Sequence, residues 1–201
     1  MRLLTAAFLA ASILQARDTL SAFGKQWQVE NAADWKMDAT AQTLELVTHR
    51  GPLPGPRRPI QFAIAQTPPY TTVNVELDVR PKQKSLMLVF AYRDPAHFDY
   101  AHLSVDTAAK QPHHNGVFHV YGGERVRISS EEGRAAFPES GRWYHVILRW
   151  DGKKGEVNVS IDGQPIPALH AVDLSLSSGR IGLGSFDETA DFKNVKIQGT
   201  E

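Results

Sequence analysis

Apolar and polar residues alternate with a period of two along most of this 201-residue chain, the spacing that turns one face of a strand to a core and the other to water. Tyr144, Val146, Leu148 and Trp150 fall on one side of such a ribbon, and beyond the turn Asp151-Gly152-Lys153-Lys154-Gly155 the residues Val157, Val159 and Ile161 repeat it. This predicts an antiparallel hairpin. Leu44 and Leu46, then Ile60, Phe62 and Ile64, then Val73, Val75, Leu77 and Val79 alternate with polar neighbours and predict three more strands. Leu86 to Arg93 is more continuously apolar, as a central strand covered on both faces should be. Tyr100 to Val105 follows the Asp94-Pro95 turn, and Val117–Tyr121 with Arg125–Ile128 flank Gly122-Gly123, a strong hairpin signal. No segment beyond the N-terminal leader keeps a helical period. The expectation is an all-β antiparallel sandwich of about a dozen short strands.

The C-terminal third carries a more specific order: Arg142-Trp143-Tyr144-His145-Val146, Val159-Ser160-Ile161-Asp162-Gly163, Gly179-Arg180-Ile181-Gly182-Leu183-Gly184-Ser185-Phe186, and Asp191-Phe192-Lys193-Asn194-Val195. This series resembles the C-terminal half of the concanavalin A-like lectin and glucanase superfamily, within it laminin G-like domains and 3-keto-disaccharide hydrolase-type domains. The resemblance implies a two-sheet jelly roll. Phe23, Trp27 and Val29 look like its opening strand, whereas Pro52 to Pro59 matches no pattern of the family. Fold transfers from such a likeness more readily than function.

Arg2 followed by the apolar run Leu3 to Leu14 and the small residue Ala16 reads as a signal peptide over residues 1–16, which leaves 17–201 as a single domain, secreted or periplasmic. The chain has no cysteine, so disulfides, thiol catalysis and thiolate metal sites are excluded. Lys plus Arg equals Asp plus Glu at 22 each. No long-range field then recruits nucleic acid or an anionic membrane, and a neutral ligand and a monomer are expected. Gly51 to Pro59 holds four prolines and cannot join a ladder except at an edge. It reads as a solvated connection, or alternatively as a stiff rim with Arg57 and Arg58 as donors beside a groove.

Five of the eight histidines, His97, His102, His113, His114 and His119, crowd between residues 97 and 119 beside Tyr92, Arg93, Tyr100 and Asn115. On the strand through them Tyr100, His102, Ser104 and Asp106 share a face. A polar face bearing rings suits a sugar, whose C–H patches stack on aromatics and whose hydroxyls need planar donors and acceptors. Tyr92, Arg93, Tyr100, His102, His114, Asn115 and His119 are the candidate saccharide contacts.

The paired carboxylates of a glycoside hydrolase are not found as the Glu-x-Asp-x-x-Glu of laminarinase-like relatives. A 3-keto sugar would need instead a base near neutrality and an electrophile for an enolate, and His102 or His119 with Arg93 or Arg127 could supply them. Catalytic candidates are therefore His102, His119 and Arg127. Three readings stay open: a carbohydrate-binding domain, a 3-keto-glycoside hydrolase using elimination and hydration, and a non-catalytic laminin G-like adhesion domain. No His-x-His or His-Glu-x-x-His spacing calls for a transition metal. Related folds often use calcium, and Asp187, Glu188 and Asp191 offer oxygen ligands, although an ordinary polar turn explains them better.

Overall fold

A computed structural model describes residues 18–51 and 58–201. The segment expected to be a leader and most of the proline segment lie outside the described residues. Two antiparallel sheets form a sandwich. The first has eight strands in the order β1 (Asp18–Ala22), β2 (Lys25–Val29), β5 (Gln61–Ala65), β14 (Arg180–Ser185), β7 (Ser85–Asp94), β8 (His97–Ser104), β9 (Gly116–Tyr121) and β10 (Glu124–Arg127). The second has seven, ordered β13 (Gln164–Val172), β12 (Glu156–Ile161), β11 (Tyr144–Asp151), β6 (Thr72–Pro81), β15 (Ala190–Thr200), β4 (Thr43–Leu46) and β3 (Trp35–Asp38). Among the described residues the only helical element is a short 3₁₀ turn, Ala32–Asp34.

Trp27, Ala63, Leu88, Phe90, Ala101, Leu103 and Val117 of the first sheet meet Val75, Leu77, Val146, Leu148, Trp150, Val159 and Phe192 of the second in one core. The outer face of the second sheet is polar, as the alternation in β6 and β11 requires. The outer face of the first sheet is not. It carries a second buried cluster that includes Phe62, Met87, Val89, Tyr92, Phe98, Tyr100 and Phe118. β7 is therefore covered on both faces, which is why its sequence is an unbroken apolar run.

β13 is absent from the sequence reading, as are β1 and β3. Pro165 and Pro167 hide β13, but it is the edge of its sheet and pairs only with β12, where a missing N–H breaks no inner ladder. β1 and β3 are likewise short edge strands with weak patterns.

Candidate functional site

The outer face of the first sheet is paved by a continuous chain of rings. Tyr92 and Phe62 lie 5.8 Å apart between centroids, Phe62 and Phe98 5.3 Å, Phe98 and Tyr100 6.1 Å, Tyr100 and His102 6.3 Å, and His102 and Phe186 6.2 Å. A bulge in β7 completes it. Phe90 and Ala91 both turn to the inter-sheet core, Ala91 takes φ 51°, and Tyr92 comes out on the side of Met87 and Val89.

A depression opens at each end of this pavement. At the β5 end Phe62, Ile64, Tyr92, Pro59 and Arg58 line an apolar cavity of about 180 Å³. Arg58 thus sits on the rim of a groove. At the β10 end a polar cavity of about 200 Å³ is walled by Arg125, Gln111, His113, His114, Asp187 and Glu188 over a floor of His102, Ser85 and Phe186.

The polar cavity is tightly organised. Gly122-Gly123 pairs Val120 with Arg125, which puts Arg125 on the outer face. Its guanidinium lies 4.7 Å from the Phe186 centroid and 5.8 Å from that of Phe118 and donates to the Tyr100 hydroxyl at 3.3 Å. Tyr100 stacks on Phe118, and burial pushes its hydroxyl pKa up to about 12, so it stays protonated. His102 Nδ1 is 2.9 Å from the His113 carbonyl, an acceptor only, so Nδ1 carries the proton. Nε2 lies 2.9 Å from the Ser85 hydroxyl, whose single hydrogen is shared between this nitrogen and the Glu188 carboxylate, also 2.9 Å away. Burial, reinforced by the nearby His114, pushes the His102 pKa down to about 3, and the ring is neutral. Glu188 accepts from the Lys84 and Ser85 backbone N–H groups. His114 Nδ1 is buried without a hydrogen bond, 3.4 Å from Asp106.

Of the candidate contacts, Tyr92, Tyr100, His102 and His114 lie along this face. Arg93 is exposed and reaches the Ser178 carbonyl instead. Asn115 is wholly buried and binds the Arg134 carbonyl and Ala136 N–H, so it shapes the loop rather than lining the cavity. The expectation that His102 and His119 face one cleft is not met. In the register of β8 with β9, Tyr100 pairs with Phe118 and Asp99 with His119, so His119 projects from the opposite face. Arg127 stands near Phe118, but its guanidinium donates to the carbonyls of Pro112, His114, Asn115, Ser129 and Ser130. Of the candidates for keto-sugar chemistry, His102 and Arg127 both lie against the Phe118 ring, with Arg127 turned to loop carbonyls and His102 held neutral by burial, whereas His119 lies on the other face.

His119 Nδ1 is 2.6 Å from Asp99 Oδ1 and 3.1 Å from Asp173 Oδ2. The Asp99 hydrogen bond raises the His119 pKa against the cost of burial, whereas burial raises that of Asp99. The Asp187–Asp191 bend does not gather calcium ligands. Asp191 pairs with Arg80 and Lys82, and Glu188 is turned to backbone N–H groups. Arg125, Phe186, Gln111 and Ser85 were missed by sequence reasoning, and Glu188 was named only as a possible calcium ligand. The two-residue Gly-Gly turn was the one available signal, since it alone dictates which face Arg125 takes.

No family model matches the sequence, and no curated protein does. Solved structures do match at the level of fold. The carbohydrate-binding module CBM66 from Bacillus subtilis superposes with a TM-score of 0.57 at 19% identity, covering 69% of this chain and 81% of its own. A putative glycosyl hydrolase from Parabacteroides distasonis gives 0.56 at 14% identity, covering 84% and 91%. The GH43 protein BlXynB from Bacillus licheniformis gives 0.60 at 11% identity over 91% of this chain and 38% of that one. These likenesses are of fold alone, a two-sheet antiparallel jelly roll.

Proposed function

We propose that the protein is an exported saccharide-binding domain that seats one sugar ring in the polar cavity beneath Arg125 and extends the glycan along the ring-paved face toward Tyr92 and Phe62. The observation that carries this reading is the cavity's composition: planar and hydrogen-bonding groups from Arg125, Gln111, His114 and Glu188 line one cavity with the Phe186 ring, over which Arg125 lies. At about 200 Å³ the cavity is smaller than the roughly 300–1,000 Å³ that holds drug-sized ligands, and so suits a single ring. The zero formal net charge and the carbohydrate-related names of two fold neighbours favour a neutral glycan. Export is supported by the leader pattern of residues 1–16 and is checked by the N-terminus of the protein recovered from its host.

Calorimetric titration with neutral mono- and oligosaccharides tests the proposal. Arg125→Ala is expected to weaken binding about tenfold or more while the protein still unfolds cooperatively, because the guanidinium is a partly desolvated donor stacked on two rings. Phe62→Ala should weaken only ligands long enough to reach the second cavity. Binding that is indifferent to Arg125 sinks the assignment of the site.

A further inference from the structure

On the other side of the first sheet, separate from the groove, three side chains from three elements converge: Asp99 of β8, His119 of β9 and Asp173 just beyond β13. We propose that they form a binding site for one divalent transition-metal ion of the zinc class, which staples the edge strand of the second sheet to the first. The ligand atoms all lie within 4.8 Å of one another.

An ion pair alone does not satisfy this arrangement. His119 Nδ1 carries at most one hydrogen, and Asp99 Oδ1 takes it at 2.6 Å. Asp173 Oδ2, 3.1 Å from the same nitrogen, is buried and has no hydrogen bond. An orphaned carboxylate oxygen is costly in a dry setting. The charges acting on Asp99 and His119 come from one another and from Asp173, with no lysine or arginine among them. Two carboxylates and one imidazole thus make a centre short of positive charge. A metal ion between them accepts Nδ1 and both oxygens as ligands at once, and solvent reaches it through the small exposed fractions of His119 and Asp173, 11% and 16% of their side chains.

The donor set selects the ion. Calcium and magnesium take oxygen ligands, calcium six to eight of them, whereas one imidazole with two carboxylates suits zinc, cobalt or manganese. Water completes the coordination. Asp173 begins the connection after β13, and β13 packs against β9 and β8 of the facing sheet, so the ion would close the sandwich at an edge where the chain has no disulfide to do so.

Zinc chloride titrated into the full-length protein by calorimetry, with thermal unfolding followed in parallel, is the test. One equivalent should bind and raise the Tm, and calcium chloride should do neither. Asp173→Asn should weaken zinc about 100-fold, at least the loss seen when groups merely supporting a metal ligand are removed. His97→Ala, which deletes a neighbouring half-buried imidazole, should leave zinc affinity unchanged. A loss in His97→Ala with none in Asp173→Asn, or no zinc-dependent Tm shift, overturns the site. If Asp173→Asn does not fold, cobalt(II) added to the unaltered protein decides. An intense visible band displaced by one equivalent of zinc supports the site, and the spectrum of the hydrated ion overturns it.

Discussion

His102 is held neutral by its surroundings, and this has a measurable consequence for stability. Its folded pKa is about 3, below the roughly 6.5 of an exposed imidazole. The unfolded chain therefore binds a proton that the folded one refuses, and stability is lost as pH falls from above 6.5 toward 3. Arg125, Arg127 and His114 oppose protonation from around the ring, and Glu188 touches it only through Ser85. Between pH 8 and pH 5 the loss assigned to this group is about 2 kcal/mol. Urea unfolding at the two pH values should show that excess in the unaltered protein over His102→Asn. Equal losses would mean that the ring is not buried neutral. Arg127 makes a contrasting case, because its hydrogen bonds all go to backbone carbonyls of the loops on either side of β9 and β10. A Cβ on Gly116 would collide with its guanidinium, so the two residues are paired by space. Arg127→Met should cost about 3 kcal/mol through carbonyls left without donors, and loosen the loop that carries His113 and His114. A change under about 0.5 kcal/mol in denaturant midpoint measurements would deny it that clamping role.

The strands were legible wherever one face is wet. β6, β11 and β12 show clean alternation and begin and end within a residue or two of their expected bounds. β5 was placed correctly for a mistaken reason, since Gln61 is as buried as Phe62 and hydrogen-bonds the Thr48 carbonyl rather than facing water. β13 was lost because its prolines speak against a strand unless its edge position is already known. The bulge at Ala91, where φ is 51°, was invisible for a similar reason: alanine carries no turn signature. Gly179, at the entry to β14, lies against the Ala91 backbone, and a methyl group on it would overlap that backbone. Gly179→Ala should destabilise by about 3 kcal/mol and withdraw Tyr92 from the ring chain. Both effects can be read together, from the unfolding midpoint and from weaker binding of long saccharides. Destabilisation with saccharide binding unchanged would break the link between bulge and groove.

At the scale of the molecule, the general location of the groove was readable and its chemistry was not. The crowding of His102, His114, Tyr92 and Tyr100 pointed to the ring-paved face that holds the polar cavity, because a strand's parity is local. Whether His119 joins them depends on the β8–β9 register, which an eleven-residue connection (105–115) leaves open. Phe186 arrives from more than sixty positions away by way of β14. The same long-range connectivity dictates how the sandwich can fail. β15, last in sequence, lies inside its sheet between β6 and β4, and its Phe192 is fully buried in the core. β1, first among the described strands, is an edge strand paired only with β2. A chain ending at Thr189 would leave the inner edges of β6 and β4 unpaired and a cavity where Phe192 packed, so no cooperative unfolding transition is expected from it. A chain beginning at Phe23 should lose Tm, since Trp27 Nε1 gives up its bond to the Ala22 carbonyl, yet should still melt in one transition. Circular dichroism melts of the two truncations settle the contrast. A cooperative transition in the chain ending at Thr189 would show that the sheets hold together without their interior strand, against everything the strand order implies.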